Sequence, residues 1–373
     1  MTSKHFPHPS WIEIDLKQLK KNISLIKKHI GSSLFCLPIK ANAYGHGLLE
    51  VGNTAEESKI DYLGVAHLQE GIKLRQNGTT LPILIFGAIH EDQILDLIHF
   101  NLEFTISSSF KANLVSQKCQ KNNLQCKVHL EVDTGMQRTG VRPTTAPSLF
   151  QQLKSLPCFD IKGIYSHLAT ADQPNDPFAL KQIKSFRALT DSLLPKNSPI
   201  LRHIANSGGV AYFPEAYLDM VRPGLMTFGY LPKSSPKSFS DIAPCFSLKT
   251  KVSYSKIVED GMGISYGHSH ITSKRTRIIT APIGYGDGLR RDLSNKGSVL
   301  IRGKQFPIVG IICMDQFMVD VGDHDVRVGD EVVVIGKQGD LEITVEKIAS
   351  LCNTTPYEIL CFFNDRLPRI YLK

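Results

Sequence analysis

Between Leu34 and Gly229 the chain repeats one pattern eight times: a short apolar or β-branched run, then a longer stretch with apolar residues at three- and four-residue intervals. The runs are Leu34 to Lys40, Asp61 to His67, Pro82 to Gly87, Glu103 to Ser108, Lys127 to Asp133, Lys162 to Leu168, Leu201 to Ser207 and Val221 to Gly229. Ile94-Leu95-Leu97-Ile98 and Phe178-Leu180-Ile183-Phe186 are typical of the segments between them. Short apolar runs suit strands buried on both faces of a parallel sheet, and the intervening period suits helices that cover it. Eight alternations predict an α/β fold with a closed (β/α)8 TIM-type barrel; an open doubly wound sheet is the competitor. No G-x-G-x-x-G follows an early run, which argues against a dinucleotide-binding fold.

In a barrel, chemistry gathers at the C-terminal ends of the strands. Those ends carry Lys40, His67, Glu131 with Asp133, His167, and Asn206 with Ser207; Arg222 stands near the start of the eighth segment. Lys40 follows Leu34-Phe35-Cys36-Leu37 and is flanked by Ile39, so the neighbouring side chains draw it inward. A desolvated lysine loses its proton more readily and serves as a nucleophile, as a Schiff-base lysine must. The competing reading is a lysine that reaches solvent past the strand end. In Val128-His129-Leu130-Glu131-Val132-Asp133 polar and apolar residues alternate, which sets His129, Glu131 and Asp133 on one face. Buried carboxylates need partners, and Arg138 is the nearest candidate. The alternative is an ion pair that merely braces the barrel.

The composition changes after Gly229. Leu231-Pro232-Lys233-Ser234-Ser235-Pro236-Lys237-Ser238 reads as a connector, and beyond it Phe246 to Ile257, Arg277 to Pro282, Val299 to Ile301, Ile308 to Asp320 and Glu331 to Ile335 alternate like strands. Arg302-Gly303-Lys304 suits a hairpin turn. The expected organisation is a barrel over residues 1–240 and a mostly β domain over residues 241–373.

A formal net charge of +8 is scattered rather than blocked, and its densest cluster, Lys274-Arg275-Thr276-Arg277, has few aromatic neighbours, so no nucleic-acid partner is expected. The eight cysteines form no C-x-x-C pair and several lie in apolar runs; they read as reduced core residues rather than metal ligands or disulfides. Met1 to Trp11 offers no signal-peptide core, and no apolar run is long enough to span a bilayer. A cytoplasmic protein with no membrane partner is the expectation.

The chain carries Lys40-Ala-Asn-Ala-Tyr44-Gly-His-Gly, Asp133-Thr-Gly-Met-Gln-Arg138, Tyr165-Ser-His167-Leu-Ala-Thr-Ala-Asp172, Ala205-Asn206-Ser207, Arg222-Pro-Gly224, Ile264-Ser-Tyr266-Gly267, Pro282-Ile-Gly-Tyr285-Gly-Asp-Gly288, Cys313-Met314-Asp315-Gln316 and Tyr357-Glu358. These motifs resemble those of alanine racemase, a pyridoxal 5′-phosphate enzyme built from a barrel and a β domain. They occur in the family's order and span nearly the whole chain. The resemblance implies that Lys40 holds the cofactor and exchanges a proton on one face of alanine's α-carbon, while Tyr266, supplied by the partner subunit of a homodimer, serves the other. It also implies that Arg222 faces the cofactor's pyridine nitrogen, with His167 and His203 orienting Arg222 and Tyr266. Ser207, Gly224, Leu225, Tyr44 and Tyr357 match the phosphate-binding set, with Asn206 beside them in the cofactor site. Arg138 and Met314 match substrate-carboxylate contacts, Tyr285 and Arg291 entrance residues, and Asp315 a supporting position. The implied role is D-alanine supply for peptidoglycan.

Two positions depart from the family. Glu131 stands where many members carry a carbamylated lysine, and Ile311 where an arginine is common. A glutamate provides its negative charge directly, so Glu131 is expected to position Arg138 without bicarbonate. The competing functions are a broad-specificity amino-acid racemase, a decarboxylase of the same fold and a non-catalytic pyridoxal-phosphate carrier. Arg222 argues against the decarboxylase, and Tyr266 with Cys313-Met314-Asp315 against the carrier.

Overall fold

The computed structural model describes residues 8–232 and 234–373. Met1 to Pro7, part of the stretch read above as lacking a signal peptide, and Lys233 of the connector lie outside the described residues. The chain divides into two compact units: one comprises Gln18–Ala43 and Leu48–Pro244, the other the residues up to Lys17, Tyr44–Gly47 and Cys245–Lys373.

After β1 (Trp11–Asp15), the first unit carries eight strands: β2 (Leu34–Pro38), β3 (Tyr62–Val65), β4 (Ile83–Ile85), β5 (Glu103–Ile106), β6 (Cys126–Glu131), β7 (Phe159–Tyr165), β8 (Leu201–His203) and β9 (Met220–Val221). They run parallel in the order β8-β7-β6-β5-β4-β3-β2-β9. β9 pairs with β2 through Leu34 opposite Met220 and Phe35 opposite Val221. Backbone bonds from Asp219 N to Arg202 O (3.1 Å) and from Arg222 N to Ala205 O (2.8 Å) link the remaining edges, so the sheet closes into the predicted barrel. The helices bury one apolar stripe each. In Pro177–Leu193 the Asp176 side chain accepts from Ala179 N, Pro177 opens the first turn, and Ala179, Ile183 and Phe186 are buried.

The last two barrel strands are shorter than their apolar runs. Asn206 accepts from Gly209 N and caps the helix Ser207–Tyr212, so the chain leaves the strand conformation after His203. Pro223 and the 3₁₀ segment Leu225–Phe228 end the eighth run in the same way.

The second unit is a ten-stranded sheet. It comprises β1, β10 (Phe246–Lys251), β11 (Tyr254–Val258), β14 (Thr276–Ala281), β15 (Ser298–Ile301), β16 (Lys304–Val309), β17 (Phe317–Gly322), β18 (Glu331–Gln338), β19 (Leu341–Ile343) and β20 (Arg369–Leu372). A small hairpin of β12 (Gly263–Ile264) and β13 (His270–Ile271) stands apart from that sheet. β1 lies between β10, antiparallel, and β20, parallel, so residues ahead of the barrel in sequence complete the β unit. Ile301 pairs with Lys304, so the hairpin turn expected at Arg302-Gly303-Lys304 is confined to Arg302-Gly303, with Lys304 already in β16. The run Ile308 to Asp320 is not one strand: Gly310 turns the chain out of β16 at φ +77°, and residues 311–316 form a loop before β17.

Candidate active site

Lys40 lies two residues past the end of β2. Ile39 N still donates to Gly64 O (2.8 Å), but Ala41, Asn42, Ala43 and Tyr44 then take φ of +52°, +55°, +54° and +52°. A left-handed turn of four L-residues without glycine costs about 1–2 kcal/mol per residue, so its surroundings must hold it. Glu70 does so from the helix Leu68–Gln76: one carboxylate oxygen accepts from Ala41 N (2.7 Å), the other from Ala66 N (2.8 Å) and His67 N (3.2 Å). Asn42 Oδ1 accepts from Leu48 N (2.7 Å) and fixes the exit. Lys40 is thereby presented half-buried at the barrel rim. His67, predicted at the same rim, is exposed at the start of its helix.

Lys40, Arg138 and Arg222 converge electrostatically on His167. Burial first, then the positive charges of Arg222, Arg138 and Lys40, push its imidazole down to about 3. The ring is neutral at physiological pH. Glu131, at the end of β6, accepts from Thr139 Oγ1 (2.8 Å). Burial raises its carboxyl, and the Thr139 bond, the charges of Arg138 and Arg222 and the nearby Tyr165 hydroxyl draw it partly back. Arg138 is exposed and influences Glu131 through its charge, while Thr139 makes the direct contact expected of Arg138. Asp133 caps its own loop instead, accepting from Gly135 N (2.8 Å) and Gln137 N (3.1 Å). Tyr165 bonds Thr105 Oγ1 (2.8 Å), stacks on His203 at 5.0 Å between ring centroids, and lies under the Arg222 guanidinium at 5.3 Å.

Arg222 is buried and doubly anchored, by Nη2 to Ser166 O (2.6 Å) and by Nη1 to His203 Nδ1 (2.7 Å). His203 Nε2 meets His129 Nδ1 (3.0 Å), and His129 Nε2 meets Glu103 Oε2 (2.8 Å). Glu103 was hidden in Leu102-Glu103-Phe104-Thr105-Ile106; the one available signal was a carboxylate inside an otherwise apolar strand.

Asn206, Ser207, Gly224 and Leu225 come together where two short helical segments begin. Ser207 Oγ accepts from Met226 N (3.2 Å), linking the start of Ser207–Tyr212 to that of Leu225–Phe228. The first N–H groups of helical segments have no partner within the segment and suit an anion. A hydroxyl among such donors, a buried guanidinium, a neutral imidazole and a rim lysine form a donor set that fits a phosphorylated aromatic aldehyde.

The other predicted residues belong to the β unit. Ser265 adopts φ +64°, ψ −169°, a conformation costly for any residue but glycine, and its Oγ donates to Ile311 O (2.6 Å). That strained turn presents Tyr266 at 70% exposure. Tyr285 N donates to Cys313 O (3.1 Å) and Gly286 N to Met314 O (2.8 Å). Ser294, which follows Arg291, accepts from Ile312 N through its hydroxyl (3.0 Å). Arg366 clamps Asp315 (2.6 Å) and the buried Asp287 (3.2 Å). The loop 311–316 therefore gathers Tyr266, Tyr285, Arg291, Met314 and Asp315. Tyr44 and Tyr357 form a separate ring pair with centroids 5.9 Å apart.

Comparison with known proteins agrees with this geometry. Residues 14–232 match the family description "Alanine racemase, N-terminal domain", and residues 245–371 "Alanine racemase, C-terminal domain". A protein named alanine racemase from Symbiobacterium thermophilum is 39% identical over 365 residues, covering 97% of each chain. The solved alanine racemase of Clostridium difficile superposes with a TM-score of 0.92 at 37% identity, over 99% of this chain and 97% of that one. An alanine racemase structure from Bartonella henselae, titled as holding covalently bound pyridoxal phosphate, gives a TM-score of 0.89 at 28% identity, over 98% and 100% of the two chains.

Proposed function

The chain belongs to the alanine racemase family, enzymes that interconvert L-alanine and D-alanine, and from that premise we propose that Lys40 and Tyr266 are the two proton-exchanging groups of a pyridoxal-phosphate-dependent racemisation. Inverting a stereocentre requires a proton to leave one face of the α-carbon and another to arrive on the opposite face, which two groups accomplish without any swing of one between faces. The observation that carries the assignment is the left-handed turn, held by Glu70 and Asn42, that delivers Lys40 beside the Arg222 and His167 environment.

When bound, pyridoxal phosphate supplies an electron-accepting ring that stabilises charge left on the α-carbon. Lys40 would hold it covalently. Ser207 with the backbone at Gly224 and Leu225, and the hydroxyls of Tyr44 and Tyr357, would hold its phosphate, and Asn206 and His167 would complete its surroundings. Arg222 would meet its ring nitrogen and, as a guanidinium, keep its own proton, which would limit electron withdrawal by the ring and favour simple proton exchange over side reactions. Arg138 and Met314 bind the substrate carboxylate, Glu131 steadies the loop that carries Arg138 through its bond from Thr139 and faces Arg138 with its charge, and Tyr285 and Arg291 line the entrance, braced by Asp315.

Tyr266 stands out from its unit on a fixed turn, a placement suited to serving a second copy's site. We assign the active form as a homodimer in which Tyr266 of the partner subunit completes each centre. We place its work in the cytoplasm, supplying D-alanine to peptidoglycan; among the described residues no helix is long and apolar enough to cross a membrane.

Purified protein loaded with pyridoxal phosphate and given L-alanine in D₂O should exchange the α-hydrogen, read by NMR, and form D-alanine, read by chiral chromatography. Retained cofactor with no D-alanine formed would contradict the reading. Faster conversion of serine than of alanine would replace it with broad-specificity racemisation.

A further inference from the structure

Arg222, His203, His129 and Glu103 form one buried line across the barrel interior, with relative exposures of 4%, 0%, 0% and 4% and contacts of 2.7, 3.0 and 2.8 Å. The chemistry of its two ends determines the direction of every hydrogen bond. A guanidinium has donors and no acceptor, so Arg222 Nη1 donates and His203 Nδ1 carries no proton. His203, neutral, then bears its proton on Nε2 and donates to an unprotonated His129 Nδ1. His129 in turn donates from Nε2 to the Glu103 carboxylate, which can only accept. An additional proton on either ring would set N–H against N–H, so both imidazoles are neutral. Burial and the neighbouring Arg222 charge likewise hold His203 well below the usual histidine range.

The surroundings fit this arrangement. Gly163 stands opposite His129 on β7, and a Cβ there would lie 2.3 Å from His129 Nδ1, so glycine makes room for the ring. Burial chiefly, and then the Glu103 charge, raise the neighbouring Tyr62 hydroxyl above its ordinary range.

Resting on the racemase reading above, we propose that Glu103 is a positioning residue for the reaction: as the acceptor end of the line Arg222 → His203 → His129 → Glu103, it fixes both tautomers and with them the direction in which Arg222 points. Without that carboxylate His129 can carry its proton on Nδ1, where it meets the His203 Nε2–H. His203 must then flip its own tautomer or break contact, and Arg222 loses the hydrogen bond that, with the one to Ser166 O, fixes its direction.

The test uses holoenzyme with ¹⁵N-labelled histidine, with the two rings assigned by substitution elsewhere in the line. Both should carry their proton on Nε2. Glu103→Leu should populate the Nδ1 tautomer of His129 and lower kcat by about ten- to a hundredfold, the range typical of outer-shell orienting groups, with KM for alanine little changed. Glu103→Gln, which keeps an acceptor oxygen, should restore the Nε2 tautomer and most of kcat. If Glu103→Leu does not fold, the wild-type tautomers and Glu103→Gln decide. A proton on Nδ1 of either ring in the wild type would overturn the proposal, as would unchanged kcat in a folded Glu103→Leu variant. The tautomers are read without substrate, so a protein that shows them but racemises nothing would refute the racemase reading while leaving the relay's direction intact.

Discussion

Glu70 joins the end of β3 to the left-handed turn that follows Lys40, so Glu70→Ala perturbs the lysine without touching it. The carboxylate accepts three backbone N–H groups. Ala41 N and His67 N lie where water can replace the lost acceptor, which leaves the half-buried Ala66 N as the main uncompensated group, a loss of about 1.5–3 kcal/mol for a bond to a charged partner. The four left-handed residues carry roughly 4–8 kcal/mol of conformational cost at about 1–2 kcal/mol each. That cost exceeds what the clamp alone contributes, so the clamp shares the work with Asn42 and the turn's other surroundings, and its loss shifts the turn toward relaxing. Urea unfolding should show a stability loss of about 2–3 kcal/mol, small enough for a domain with the usual 5–15 kcal/mol to stay folded. Racemase activity and cofactor retention should fall much further than folded fraction does. Glu70→Gln, retaining one acceptor oxygen, should recover part of both. A folded Glu70→Ala enzyme with wild-type activity and cofactor content would refute the idea that this clamp aims Lys40.

Acid should destabilise the barrel before most carboxylates titrate. His167 and His203 are neutral in the native state with pKa values below that of a free histidine, so the unfolded chain binds more protons; each contributes a loss of about 1.4 kcal/mol per pH unit as pH falls below about 6.5. Glu131, with its carboxyl raised, opposes this weakly just above the ordinary carboxylate range. Urea titrations from pH 7 to pH 5 should show the fall, and His167→Gln should flatten it. Glu131 should also make activity independent of bicarbonate; an activity that rises strongly with added bicarbonate in both wild type and Glu131→Gln would contradict its role as a ready-made anion.

The barrel was legible because its signal is local: each apolar run is short, bounded and followed by a helical period. The strands that fall furthest short of their runs, β8 and β9, are shortened by Asn206 and Pro223, whose capping and ring geometry act over single residues. β1 could not be assigned to its sheet, because its partners β10 and β20 come more than 200 residues later. Lys40, His167, Asn206 and Ser207 stood out as polar residues at strand ends, whereas Arg222, read near the start of the eighth run, follows the two-residue β9. The left-handed turn did not, because Ala-Asn-Ala-Tyr lacks the glycine that announces positive φ and depends on Glu70, contributed by another element. Glu103 escaped notice for a similar reason: its meaning comes from His129, across the strand pair.

The most direct test of the two-group account is solvent-deuterium wash-in to the α-carbon of unreacted L-alanine and D-alanine, measured separately for Tyr266→Phe holoenzyme. Loss of a general acid–base group typically costs about 10²–10⁴-fold, so racemisation should fall by that order. Wash-in should be lost for one enantiomer and persist for the other, whose face Lys40 still serves. Equal slowing of both enantiomers, or no slowing of either, would contradict the assignment of Lys40 and Tyr266 to opposite faces.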